Sequence, residues 1–66
     1  MPSSVIREFH YRPRSHELAV TFVSGRRYSY LDVPEATYRA MRESLSKGEY
    51  FNAHIRDHFA FRREPD

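Results

Sequence analysis

The 66 residues include five tyrosines, five phenylalanines and no cysteine, which predicts a single domain spanning residues 1–66 and excludes disulfides and cysteine-based zinc sites. The formal net charge is +2 and all basic residues except Lys47 are arginine, a side chain whose planar fork suits phosphate and carboxylate partners. No apolar run reaches the ~18 residues of a membrane span and the N-terminus lacks a secretory pattern, so the sequence predicts a cytoplasmic protein without membrane association.

Alternating apolar residues predict strands in the first half of the chain. The first strand is expected over residues 5–11, with a bulge near residues 7–8 because its apolar anchors are out of phase. Pro13 marks a turn. Strands at 17–22 and 26–31 then complete an antiparallel meander of three strands.

The connection between the second and third strands can be chosen by parity. A three-residue loop at 23–25, ending in a left-handed glycine, pairs Val20 with Tyr28 and Leu18 with Tyr30. This register places the large apolar residues on one face, so both tyrosines are predicted to face the core. The alternative is an exposed base-stacking platform, as in RNA-binding sheets of four strands.

Two helices are predicted next. Pro34 is expected at the first position of helix one, whose buried stripe comprises Tyr38, Met41 and Leu45. Ser46, followed three residues later by a glutamate, has the capping-box pattern that begins helix two.

The second helix has Gly48 in its first turn and directs Phe51, Ile55 and Phe59 inward. Asn52 is expected beside the core, where its amide bridges backbone groups or contacts a ligand. Residues 59–63 alternate and predict a short extended segment at a sheet edge. The fold class is therefore α+β, with a three-stranded antiparallel meander packed on two helices, order βββαα, and a short extra C-terminal strand.

Several motifs in this order match a known family. They comprise Ser3, Ser4, Tyr11, Gly25, Tyr28, Ser29, Tyr30, Asp32, Val33, Pro34, Ser46, Gly48, Phe51, Asn52, Ile55, Arg56, Phe59, Ala60, Phe61 and Arg62. The set resembles the KTSC domain, a small module also found at the C-terminus of some lysyl-tRNA synthetases, and the resemblance covers nearly the whole chain. His58 departs from it, since a basic or small residue is expected there. The resemblance implies no assigned reaction and suggests RNA binding through its synthetase context.

Chemistry-bearing patterns are few. His54 and His58 are four residues apart, a helical spacing that can hold a metal, but no third ligand motif converges on them. No serine has a nucleophile-elbow context and the two glycines cannot form a phosphate loop. The sequence therefore predicts a protein that is not an enzyme and binds no metal or cofactor.

The arginines carry the functional hypothesis. The meander and the two helices are expected to bring five of them to or near one end of the fold: Arg12, Arg14, Arg56, Arg62 and Arg63. Such a patch suits an RNA or DNA phosphate backbone, whereas Arg26 and Arg27 at the opposite end should contribute less. The alternative is a solvated surface balanced by Glu8, Glu17, Glu64 and Asp66.

The predicted function is a small non-catalytic binding module that contacts nucleic-acid backbone through these arginines. The alternative is a protein–protein interaction module or a small homodimer without a nucleic-acid role, using an uncovered strand edge or an aromatic patch.

Overall fold

The computed structural model describes residues 6–65, which form four strands and two helices. In chain order these are β1 (Ile6–Arg12), β2 (Glu17–Phe22), β3 (Arg27–Tyr30), α1 (Glu35–Glu43), α2 (Lys47–His54) and β4 (Phe61–Glu64). The strands pair antiparallel in the order β1-β2-β3-β4. The predicted α+β class is confirmed, and the extra C-terminal strand is β4. Within the described residues, neither helix is long and apolar enough to cross a membrane.

The β2–β3 hairpin has the predicted register, with Leu18 opposite Tyr30 and Val20 opposite Tyr28. Gly25 has φ 94°, and its N–H donates to the Phe22 carbonyl at 2.8 Å. A left-handed residue is needed to close this loop without splaying the strands, and glycine adopts that conformation without a side-chain clash.

The predicted bulge in β1 is also confirmed, because the β1–β2 register shifts between Ile6 and Glu8. The shift lets both Ile6 and Phe9 pack against the core despite their odd spacing. Val5, Ser3 and Ser4 lie outside the described residues.

Both helices pack on one face of the sheet. α1 covers β1, with Tyr38 stacked on Tyr11 at 4.8 Å between ring centroids. α2 covers β2 and β3, and its Phe51 meets the edges of neighbouring rings. The buried core consists of Tyr11, Leu18, Val20, Tyr30, Val33, Met41, Phe51 and Ile55. The opposite face of the sheet carries no helix from residues 6–65, which leaves it available to charged side chains.

The helix ends differ from the sequence prediction at two residues. Pro34 is the N-cap of α1 with extended backbone, not the first helical residue. Leu45 is fully exposed instead of buried. Because α1 ends at Glu43, Leu45 lies beyond the helix and does not continue its buried stripe. Ser46 caps α2 as predicted, its Oγ accepting from the Glu49 N–H at 3.3 Å.

The segment after α2 returns the chain to the sheet. α2 ends at His54, and Asp57 adopts a left-handed φ of 67°. Leu31 N–H then donates to the Ala60 carbonyl at 2.8 Å. Phe61 pairs with Tyr30, and β4 extends the sheet beside β3.

Candidate nucleic-acid interface

Two of the predicted arginines meet on the helix-free face of the sheet. Arg12 ends β1 and Arg62 lies in β4, and both reach the carboxylate of Glu17 in β2. Arg12 Nη1 lies 3.1 Å from Glu17 Oε1, and Arg62 Nη2 lies 3.4 Å from the same oxygen. The structure therefore brings these two cations together, but around an anion.

A second carboxylate completes this network. Glu64 Oε2 accepts a hydrogen bond from Ser29 Oγ at 2.6 Å and another from Arg62 Nη2 at 3.0 Å. Both bonds lower the pKa of Glu64, and the bond from Ser29 has the larger effect. The bond to Glu64 and the charge of Glu17 raise the pKa of Arg62. Because Ser29 belongs to β3, the network also joins β4 to its neighbour.

Arg14 and Arg63 do not join this network. Arg14 is exposed in the turn between β1 and β2. Arg63 pairs with Tyr28 and so projects to the face opposite Arg62, because successive strand residues alternate between faces. The prediction of one patch containing both Arg62 and Arg63 is therefore wrong for Arg63.

Arg56 lies in a different place again, at a groove of about 360 Å³ between the β2–β3 turn and α2. Arg26, which the sequence placed at the end opposite the predicted patch, lines the same groove. Within residues 6–65, neither guanidinium has a carboxylate within ion-pair distance. The expected grouping of Arg56 with Arg12 and Arg14 is wrong, because the short α2 leaves Arg56 facing the β2–β3 turn.

Aromatic rings form the wall of this groove. Tyr30 and Phe51 are buried, whereas Phe22 and Tyr28 are half-buried. Phe51 meets Phe22 edge-on at 5.5 Å and Tyr30 edge-on at 5.2 Å between centroids. Phe61, 56% exposed, stacks on Tyr28 at 5.2 Å. The core prediction thus holds fully for Tyr30, while Tyr28 both packs on the core and borders the groove.

Asn52 lines the groove with a side-chain amide that has no hydrogen-bond partner in the described residues. It follows buried Phe51 on α2 but is itself exposed. In the described part of the chain its side chain makes no hydrogen bond. The expectation that Asn52 sits beside the core and bridges backbone groups is therefore wrong. The amide remains available to an external partner.

The Tyr30 hydroxyl is another polar group in the lining of the groove. Tyr30 is 4% exposed, and its hydroxyl has no hydrogen-bond partner among residues 6–65. Burial raises the pKa of Tyr30, the nearby Arg56 opposes that rise, and Asp57 adds to it. Tyr30 and Arg56 both line the groove. By contrast, the Tyr11 hydroxyl is satisfied, donating to the Val33 carbonyl at 2.7 Å.

The histidine pair does not have the geometry considered from the sequence. His54 is the last residue of α2, so His58 lies beyond the helix, and the His54 ring lies 4.4 Å from that of Tyr50. Within the described residues, no three His, Asp or Glu side chains converge as metal ligands would.

The remaining motif residues have structural positions. Gly48 is buried in the first turn of α2, beside the Ser46 cap. Neither lines the groove. Arg26, Phe22 and Val23 are the lining residues that the sequence interpretation did not single out. The sequence could have indicated them, because the turn of a hairpin lies next to the core-facing aromatic residues of its two strands.

The fold and the groove define a small α+β domain with two helices on one sheet face. Residues 2–59 match the KTSC domain, and the chain belongs to the KTSC domain family. It is similar to the KTSC domain protein of Yersinia pestis, whose crystal structure superposes with a TM-score of 0.91 at 31% identity, covering 98% of this chain and 92% of that one.

The chain also resembles part of larger proteins. It is 36% identical over 58 residues to a lysine–tRNA ligase of Nostoc punctiforme and 33% identical to one of Trichormus variabilis. Each match covers 88% of this chain and 10% of the ligase. The chain therefore spans about a tenth of the length of these curated relatives.

Proposed function

We propose that this domain is a non-catalytic RNA-binding module that contacts phosphate through Arg26 and Arg56. The observation that carries the proposal is that two arginines without a carboxylate partner line the same aromatic-walled groove, in contrast to the two arginines that surround Glu17. Arg12 and Arg62 are bound to Glu17, whereas the guanidiniums lining the groove have no carboxylate partner in the described residues. An arginine without an internal partner retains its fork of donors for a phosphate.

The relatives favour RNA over other polyanions. They are named as ligases of tRNA, and this domain corresponds to a short part of each. A module that adds weak phosphate contacts would raise the affinity of a larger protein for its RNA through effective concentration. The cytoplasm is the proposed location on the same ground.

Several family-motif residues support the groove as the site. Tyr28, Tyr30, Phe51, Asn52 and Arg56 all line it, although they come from a strand, a helix and the segment that follows. Within this cluster Phe51 is buried and fixes the wall, while Asn52 and Arg56 are exposed. The mixture of arginine and aromatic residues with a free amide is typical of binding surfaces.

The test is fluorescence anisotropy with a labelled single-stranded RNA at several salt concentrations. The double variant R26A/R56A should weaken binding and flatten the logarithmic salt slope by about 0.7 for each phosphate that is no longer neutralised. The variant R12A/R14A has the same change in net charge and should alter both quantities less.

The reverse ranking would place the interface at the opposite end of the sheet, as the sequence alone predicted. Absence of salt-sensitive binding by the wild type near about 50 mM salt, where electrostatic attraction is strong, would reject the nucleic-acid function.

A second candidate is the protein-interaction module or small homodimer. Its specific support is β4, which lies at the end of the sheet order and carries the exposed Phe61. A strand edge with an exposed aromatic residue suits pairing with another chain. Sedimentation equilibrium over a wide concentration range tests self-association, and F61S should abolish any dimer that forms through this edge.

A further inference from the structure

We infer that the groove between the β2–β3 turn and α2 receives one unpaired nucleotide of a single-stranded RNA, with its base among the aromatic residues and its phosphate at the arginines. This inference rests on the proposed function and specifies the form of RNA that the site selects.

The groove has the size and composition of a site for a small planar group. Its volume of about 360 Å³ lies within the usual range of small-ligand sites, about 300–1,000 Å³. Half-buried Phe22 and Tyr28 border it, and exposed Val23 extends its apolar rim. Aromatic rings on one wall favour a flat, unsaturated ring as the occupant.

Its charge is complementary to a phosphate. Arg26 and Arg56 line the groove, and no carboxylate from residues 6–65 does. Asp57, which raises the pKa of Tyr30, does not line the groove. A second groove of about 370 Å³ on the helix-free face provides the comparison, because it is lined by Glu8 and Glu64 as well as by arginines. Of these two grooves, the one beside α2 combines aromatic walls with uncompensated positive charge in the described structure.

Several polar side chains line the groove, and we take two of them, Tyr30 and Asn52, as the contacts for the edge of a base. Tyr30 lines the groove and its hydroxyl has no protein partner in residues 6–65, so it can donate to or accept from a ligand. The Asn52 amide is equally unpaired within that range and presents both a donor and an acceptor. A base held between these groups would satisfy them.

The same features disfavour double-stranded RNA. The edges of a paired base are occupied by its partner and its faces are stacked, so it cannot enter a groove beside Tyr30. Protein recognition of bases in RNA generally uses unstacked nucleotides for this reason. We therefore expect selection for single strands, with a requirement for the Tyr30 hydroxyl.

The experiment measures the affinity of three probes: an adenine-containing RNA single strand of eight nucleotides, the same eight nucleotides paired in the stem of a hairpin, and free AMP. The single strand should bind at least tenfold more tightly than the other two. Amide and ring resonances of Asn52 and Tyr28 should shift in NMR spectra on addition of the single strand.

Two variants locate the contacts. Y30F and N52A should each weaken single-strand binding by about two- to tenfold, the usual worth of one hydrogen bond, with an unchanged salt slope and melting temperature. The matched control is Y11F, which removes a hydroxyl committed to Val33. It should lower the melting temperature and leave RNA affinity unchanged.

Equal affinity for single strand and duplex, or wild-type affinity in both Y30F and N52A, would overturn the inference while leaving the arginine-based function intact. Equal affinity for AMP and the oligonucleotide would also overturn it, by making a free nucleotide the ligand. Failure of every RNA to bind would reject the proposed function and this inference together.

Discussion

Truncation of Tyr30 to alanine tests the role of this ring in the fold. Tyr30 is 4% exposed and is in contact with three other rings. Its centroid lies 5.2 Å from that of Phe51, 5.5 Å from Phe61 and 6.5 Å from Tyr28. Y30A would therefore leave a cavity where the sheet, α2 and β4 meet.

The expected destabilisation is large for so small a domain. Removing a buried aromatic ring costs about 3–5 kcal/mol of unfolding free energy. A chain of 66 residues has a total of about 3–10 kcal/mol on the usual scale per residue. At about 4–8 °C per kcal/mol, the melting temperature should fall by about 12 °C or more.

Circular dichroism melts and urea titrations measure this destabilisation. F61A is the matched control, because Phe61 contacts the same ring but is 56% exposed, so its truncation should cost less than half as much. A Y30A protein that melts like the wild type, or no lower than F61A, would refute the core assignment and indicate an exposed stacking platform.

Three further outcomes are expected. S46A should cost about 0.5–2 kcal/mol of stability, because the variant has no side-chain acceptor for the Glu49 N–H. S46D should melt near the wild type, and equal destabilisation in both variants would exclude capping. L45S should leave the melting temperature unchanged, since Leu45 is fully exposed, whereas a drop would mean that this residue is covered in solution. Burial raises the pKa of Tyr11, so the stabilisation by its neutral hydroxyl is complete below about pH 10 and is lost as the pH rises through the folded-state pKa. In alkaline melts, the melting temperature of Y11F should therefore fall less steeply with pH than that of the wild type.

The sequence by itself determined the parts of the fold that depend on local periodicity. Placing the large side chains of β2 and β3 on one face allowed only the loop that ends at Gly25, and the pairing of Val20 with Tyr28 followed. The odd spacing of Ile6 and Phe9 required the bulge in β1. Ser46 could be assigned as a cap because capping depends on residues only three positions apart.

The arrangement of charges was decided by the tertiary structure. Arg62 and Glu17 are 45 positions apart, and they meet because β4 adds to β3 in one particular register. The same register sends Arg63 to the other face. Arg56 joins Arg26 because α2 ends at His54 and the left-handed Asp57 turns the chain back toward the sheet. Which cations are neutralised and which face a groove depends on contacts between distant strands and helices, and a pattern with a period of two or four residues does not contain that information.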